Sequence, residues 1–160
     1  MNSMNLSSKV WQDPAYFIAF GFGAGLAPVA PGTWGTLAAF PIYLLMSSLS
    51  LPLYLLITLL FFILGVYVSD RVSADLGEHD YSGIVWDEVV GLLLTMALVP
   101  PRLTWMIIGF LLFRLFDIWK PWPITIADEK IKGGFGIMFD DVLAAVPAWI
   151  ILQLLIWSFS

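Results

Sequence analysis

An all-α, polytopic helical bundle embedded in a membrane is the fold that this 160-residue sequence predicts. Three observations lead there. Hydrophobic residues make up 60% of the chain and charged residues only 12%, against roughly 25% charged in an ordinary soluble domain. Between Asp13 and Asp70 lie 56 consecutive residues without Asp, Glu, Lys, Arg or His, far more than the roughly 20 that cross a bilayer once. Eleven of the 12 acidic residues fall in two windows, Asp70 to Glu88 and Asp117 to Asp141, so carboxylates gather between the apolar runs. With no linker, repeat or low-complexity tract, residues 1–160 read as a single domain.

Taken in order, the first apolar stretch is PAYFIAFGFGAGLAPVAPG, residues 14–32, with four Gly and three Pro. That many breakers preclude a regular helix, so a half-helix or re-entrant piece is expected, and irregular backbone at membrane depth survives only against protein or a cavity. A signal peptide is not the better reading, since Gly and Pro interrupt the run and further apolar segments follow. Helices are then expected over about Gly35–Ser48 and Leu51–Val68, with Pro52 suited to a first turn. The polar stretch SDRVSADLGEHDYSG must lie at an aqueous face. A third helix runs from about Ile84 to Val99, with Asp87 and Glu88 in its opening turn and Pro100 and Pro101 ending it. A fourth covers about Leu103–Trp119, stopped by KPWPI, and a last one about Ile137–Trp157.

These helices make about five crossings, with both acidic windows on one face. Placing that face in the cytoplasm puts Lys9, Arg71, Arg114, Lys120, Lys130 and Lys132 at or near it and only Arg102 outside, as the positive-inside bias requires. The net charge of -5 hides this distribution: carboxylate excess mixed with Lys and Arg suits a cation site that in turn receives an anion. No nucleic-acid partner is expected.

The pairs Asp87–Glu88 and Asp140–Asp141 each sit where an apolar helix begins. Helix capping alone would account for any one of these acids. Four carboxylates crowded at an apolar boundary would nonetheless repel unless a cation joined them, and hard oxygen donors favour Mg2+. Neighbouring side chains on a helix point about 100 degrees apart, so one member of each pair is expected to face a shared centre while the other supports it. In FRLFDIWKPWP, Arg114, Asp117 and Lys120 share one helical face. They form either a local salt-bridge ladder or a set in which Asp117 faces a metal and Lys120 or Arg114 holds a phosphate. GLAPVAPGTWGT offers Thr33 and Thr36 among Gly32 and Gly35, a loop that either packs in the membrane or lets backbone amides approach an anion. Gly133, Gly134 and Gly136 read most simply as a tight turn into the last helix. His79, between Glu78 and Asp80, reads as solvated or ion-paired rather than as a ligand.

Elimination narrows the chemistry. The chain has no Cys, a single His and no Asp-x-Asp, which excludes cysteine, histidine and aspartyl-phosphate phosphatase mechanisms and leaves water as the nucleophile. One or two Mg2+ ions held by Asp87 or Glu88, Asp117, and Asp140 or Asp141 would bind phosphate oxygens and activate that water. A cation transporter would place its acids at mid-membrane on broken helices, whereas these lie at helix ends. A non-catalytic lipid-binding subunit is the other alternative.

Four motifs in order, GFGAGLAPVAPGTWGT, HDYSGIVWDEVVG, FRLFDIWKPWPI and GGFGIMFDD, resemble the phosphatidylglycerophosphatase A family of bacterial inner-membrane enzymes, from about Gly21 to Ala148. The resemblance implies Mg2+-dependent hydrolysis of the terminal phosphomonoester of phosphatidylglycerophosphate, reached from the cytoplasmic leaflet of the lipid bilayer. Its acidic positions fall on Asp80, Asp87, Glu88, Asp117, Asp128, Asp140 and Asp141, its basic position on Lys120 and its hydroxyl on Thr33. Two positions depart from the family pattern: Thr36 stands where Ser is common, and Ala145 where Gly often follows the acidic pair. The first keeps a hydroxyl, and neither removes a candidate ligand.

Overall fold

The computed structural model describes residues 3–159, and every regular element within them is helical. Two short helices, α1 (Ser3–Gln12) and α2 (Pro14–Ala19), meet at Asp13, whose carboxylate accepts the Ala15 amide at 2.9 Å while Pro14 fills the first helical position. The sequence reading assigned nothing before Pro14; α1 is short and polar and anchors itself chiefly through Leu6 and the fully buried Val10. Ion pairs Lys9–Asp75 at 3.2 Å and Arg71–Asp13 at 2.8 Å tie this pair of helices to the fourth.

The expected irregular segment follows. Gly21, Phe22 and Gly23 all take positive φ, and a single 3-10 turn covers Ala24–Leu26. A side chain at Gly25 would run into the carbonyl of Gly83, so this segment lies directly against the loop that leads into the fifth helix. Helix α3 (Pro31–Met46) starts one turn earlier than expected, because Pro31 is preset for a first helical position.

Helix α4 (Leu51–Leu76) runs beyond the expected end at Val68, through Asp70, Arg71 and Asp75, until Gly77 ends it in the left-handed conformation at φ 70°. Helix α5 (Trp86–Thr95) is shorter than the expected Ile84–Val99 and stops a turn before Pro100, where the approach to proline disfavours helix. The expected limits of α6 (Leu103–Trp119) agree with the structure. Inside the second polar window the chain forms α7 (Ile124–Lys130). Helix α8 (Gly133–Phe159) begins four residues before the expected Ile137, so Asp140 and Asp141 lie two turns inside it rather than at its start.

Helix α5 is the axis of the bundle: eight of its ten residues are buried, and it packs against α3, α4, α6 and α8. The carbonyls left open at and beyond its carboxyl end are met by side chains from its neighbours. Tyr54 donates to Leu93 O at 2.6 Å, Tyr43 to Val99 O at 2.7 Å, and Trp149 and Gln153 both to Ala97 O. At the opposite end, α8 is anchored through its first amides: Gly133 N donates to His79 Nε2 at 3.1 Å and Gly134 N to Asp70 Oδ1 at 3.0 Å. A side chain at Gly134 would collide with the α4 backbone at Val66 and Asp70, and one at Gly136 with the Ile131 carbonyl. These glycines are therefore close-packing positions.

Among the described residues two helices, α4 and α8, are long and apolar enough to cross a membrane, and only 22% of the most apolar stretch of each is buried within the protein. A core helix of a soluble protein would be mostly covered. The outer faces carry Leu59, Leu60, Ile63, Leu111, Ile150 and Leu154 in the open.

Candidate active site

Asp87 and Glu88 occupy the first turn of α5, where free amides and the helix dipole favour carboxylates. Asp141 comes to them from α8. What lets α8 approach so closely is Gly91, one turn after the acidic pair: a β-carbon there would meet the ring of Phe113 and, at 3.3 Å, the β-carbon of Asp141. One carboxylate oxygen from each of Asp87, Glu88 and Asp141 lies within 4.8 Å of the others. The site is nearly closed to solvent, with Asp87 7% and Asp141 2% exposed. Asp87 Oδ1, Glu88 Oε2 and Asp141 Oδ2 are buried with no hydrogen-bond partner.

Asp117, buried on α6, interacts with Asp141 and forms an ion pair with Arg114 one turn before it. The same guanidinium reaches Glu88 Oε1 at 3.7 Å. Gly32, at the start of α3, presses on this pair: a β-carbon would collide with Glu88 Oε1 and lie 3.2 Å from both terminal nitrogens of Arg114. Four helices thus meet at one group of carboxylates. Arg114 offsets part of the negative charge, but one oxygen of each of the three acids is left desolvated and without a partner, which is costly without a further cation. Carboxylate oxygens from three residues, with Asp117 beside them, are a hard donor set that fits Mg2+, Mn2+ or Ca2+ and not a soft metal.

A second charged group borders the first. Lys120 caps α6 in the left-handed conformation at φ 44°, and its ammonium lies 2.8 Å from Asp128 Oδ1 on α7 and 2.6 Å from Asp140 Oδ2 on α8. The other oxygen of Asp140 accepts the Asp141 amide at 3.0 Å. Asp80, on the exposed loop before α5, interacts electrostatically with Lys120 and Asp128. Burial works to lower the Lys120 pKa, but its bonds to Asp128 and Asp140 more than offset this and hold it above the usual lysine range.

The motif residues therefore separate. Asp87, Glu88, Asp117 and Asp141 converge with Arg114, while Asp128 and Asp140 bind Lys120 and Asp80 lies within its electrostatic reach. Both members of the 87/88 pair face the shared centre, and only Asp141 of the 140/141 pair does. Arg114, Asp117 and Lys120 do not form a continuous ladder, because the left-handed turn at Lys120 carries its side chain to α7 and α8. In the glycine loop Gly32 lies against the carboxylates, where a β-carbon would meet Glu88 Oε1. The Thr36 hydroxyl donates to Gly32 O at 2.8 Å, Gly35 packs on Val85, and Thr33 sits half-buried in the first turn of α3.

The sequence model of the phosphatidylglycerophosphatase A family matches residues 17–156, a range that holds both charged groups. The chain belongs to this family. Among its curated relatives, phosphatidylglycerophosphatase A of Haemophilus influenzae is 47% identical over 142 residues, covering 88% of this chain and 87% of that protein. Phosphatidylglycerophosphatase A of Escherichia coli is 44% identical over 135 residues, 84% of this chain and 78% of that protein. A Bacteroides thetaiotaomicron protein with a provisional phosphatidylinositol-3-phosphatase name is 38% identical over 149 residues, 88% of this chain and 92% of its own length. No solved structure matches the chain. As a member of the phosphatidylglycerophosphatase A family, the protein is a phosphatase enzyme. Gly91 and Asp70 are the residues of this phosphatase that sequence reasoning passed over; for Gly91 the signal was its place one turn after an acidic pair.

Proposed function

We propose that the protein hydrolyses the terminal phosphomonoester of phosphatidylglycerophosphate in a Mg2+-dependent reaction, releasing phosphatidylglycerol and inorganic phosphate. The observation that carries this reading is the meeting of the Asp87, Glu88 and Asp141 carboxylates, each with one buried, unpartnered oxygen, in a chain of this family. Asp87, Glu88 and Asp141, with Asp117 beside them, would hold the ion, which when bound neutralises phosphoryl oxygens and lowers the pKa of water. Arg114 fixes the side chains of Glu88 and Asp117 from between them. Lys120 has three N–H donors and gives two to Asp128 and Asp140, so one remains for a phosphoryl oxygen. Water attacks phosphorus as the bond to the lipid glycerol oxygen breaks. A carboxylate not engaged with metal, Asp80 or Asp128, takes the water proton, and the departing alkoxide is protonated to the free hydroxyl.

The same reading places the protein in the bacterial inner membrane with both charged groups at the cytoplasmic surface. Five passes are made by α3, α4, α5 with its flanking turns, α6 and α8. Helix α5, ten residues or about 15 Å long, spans half of a hydrocarbon core, and its broken ends are tolerated because other helices enclose it. Orientation is supported by Lys9, Arg71, Lys130 and Lys132 at the carboxylate end and Arg102 beyond the other. Phosphate release from phosphatidylglycerophosphate by purified protein with Mg2+ tests the function, with phosphatidylinositol 3-phosphate as the competing substrate. Near-normal turnover in both Asp141→Asn and Glu88→Gln would remove these residues from the mechanism.

A further inference from the structure

We propose that the ammonium of Lys120 fills the place of a second cation, so that the centre takes a single divalent ion. The proposal rests on the metal-dependent reading above and goes beyond it, because carboxylates in this number could equally hold two ions. Two-metal phosphatases bridge a pair of ions roughly 3.5–4 Å apart with shared acidic residues. Here the two acidic groups meet at adjacent residues of α8, and their oxygens are in opposite states.

On the Asp141 side, Asp87 Oδ1, Glu88 Oε2 and Asp141 Oδ2 are buried and lack partners. On the Asp140 side both oxygens are taken, Oδ2 by Lys120 at 2.6 Å and Oδ1 by the Asp141 amide at 3.0 Å. Lys120 also binds Asp128 at 2.8 Å, so one ammonium joins carboxylates from two helices, the arrangement a bridging metal ion would otherwise make.

The ammonium is built into the fold. Lys120 ends α6 in a left-handed turn with its amide bonded to Phe116 O at 2.9 Å, and the Thr125 hydroxyl donates to its carbonyl. Asp80 adds a third carboxylate within electrostatic reach. With the ammonium removed, Asp128 and Asp140 would lose the cation that joins them, and a second divalent ion would take its place.

The test counts Mn2+ bound per chain, by electron paramagnetic resonance and equilibrium dialysis, in full-length protein purified in detergent. Wild type is expected to bind one ion and Lys120→Met two, since methionine keeps the length of the side chain without its charge. Lys120→Arg and Asp128→Asn are each expected to keep one, and these decide the matter if Lys120→Met does not fold. Two ions in wild type, one in both wild type and a folded Lys120→Met, or loss of the single ion in Asp128→Asn would each overturn the proposal while leaving metal dependence intact. No ion in wild type would instead overturn the metal-dependent reading along with it.

Discussion

Asp140 and Asp141 are adjacent on α8, yet Asp140 is bound to the Lys120 ammonium at 2.6 Å while Asp141 turns to Asp87 and Glu88 with one oxygen unpartnered. The divergence follows from the 100-degree step between neighbouring helical residues, which aims one side chain at α5 and the other at the α6–α7 junction. Substitutions at the two sites should therefore differ. Asp141→Asn removes an oxygen from the proposed ion site and is expected to lower kcat by more than about 100-fold, whereas Asp140→Asn disturbs a supporting contact and is expected to cost about 10- to 100-fold. Steady-state phosphate release at saturating Mg2+ checks the ranking, and equal losses would contradict it.

Arg114 stands between Glu88 and Asp117 with its side chain only 15% exposed. Arg114→Met leaves those carboxylates without their internal counter-charge, a change that typically costs about 3–5 kcal/mol for a buried pair. Thermal unfolding in detergent is expected to show a large drop in EDTA and a partial recovery with Mg2+, since an added cation would replace some of the lost charge. A drop that Mg2+ leaves unchanged would separate Arg114 from the ion site.

Gly32→Ala is a sharper probe than its size suggests. In an isolated helix the change is favourable by about 1 kcal/mol. Here the added methyl would collide with Glu88 Oε1 and crowd Arg114, so activity is expected to fall at least 10-fold while the helical circular dichroism is retained. Unaltered activity would mean that α3 does not press on the carboxylates.

Gly91→Ala should loosen the joint between α5 and α8. Its methyl meets the Phe113 ring and the Asp141 β-carbon, and overpacking of this kind costs about 1–3 kcal/mol. Melting temperature and Mg2+ affinity are both expected to fall, because the same approach that packs the helices brings Asp141 to Asp87.

Much of this was legible before any coordinates, and the exceptions share a cause. The limits of α6 were readable because Pro101 precedes it and Lys120-Pro121 ends it, and Pro52 marked the start of α4. The far end of α4 was hidden, since Asp70, Arg71 and Asp75 on a helix leaving an apolar layer look like a loop. The onset of α8 was hidden because GGFG reads as a turn, whereas Gly134 and Gly136 are needed for close approach to α4 and to Ile131. Within the site, Asp87, Glu88, Asp117, Asp140 and Asp141 stood out as acids against apolar helices. The departure of Asp140 from that group to join Asp128 did not, because it depends on where the left-handed turn at Lys120 sends its ammonium.

The central claim is that carboxylates from α5 and α8 surround one divalent ion, and an anomalous difference map from crystals grown with Mn2+ tests it most directly. A single peak within coordination distance of Asp87, Glu88 and Asp141 is the predicted result. No peak among these three residues, or one lying only between Asp128 and Asp140, would contradict it.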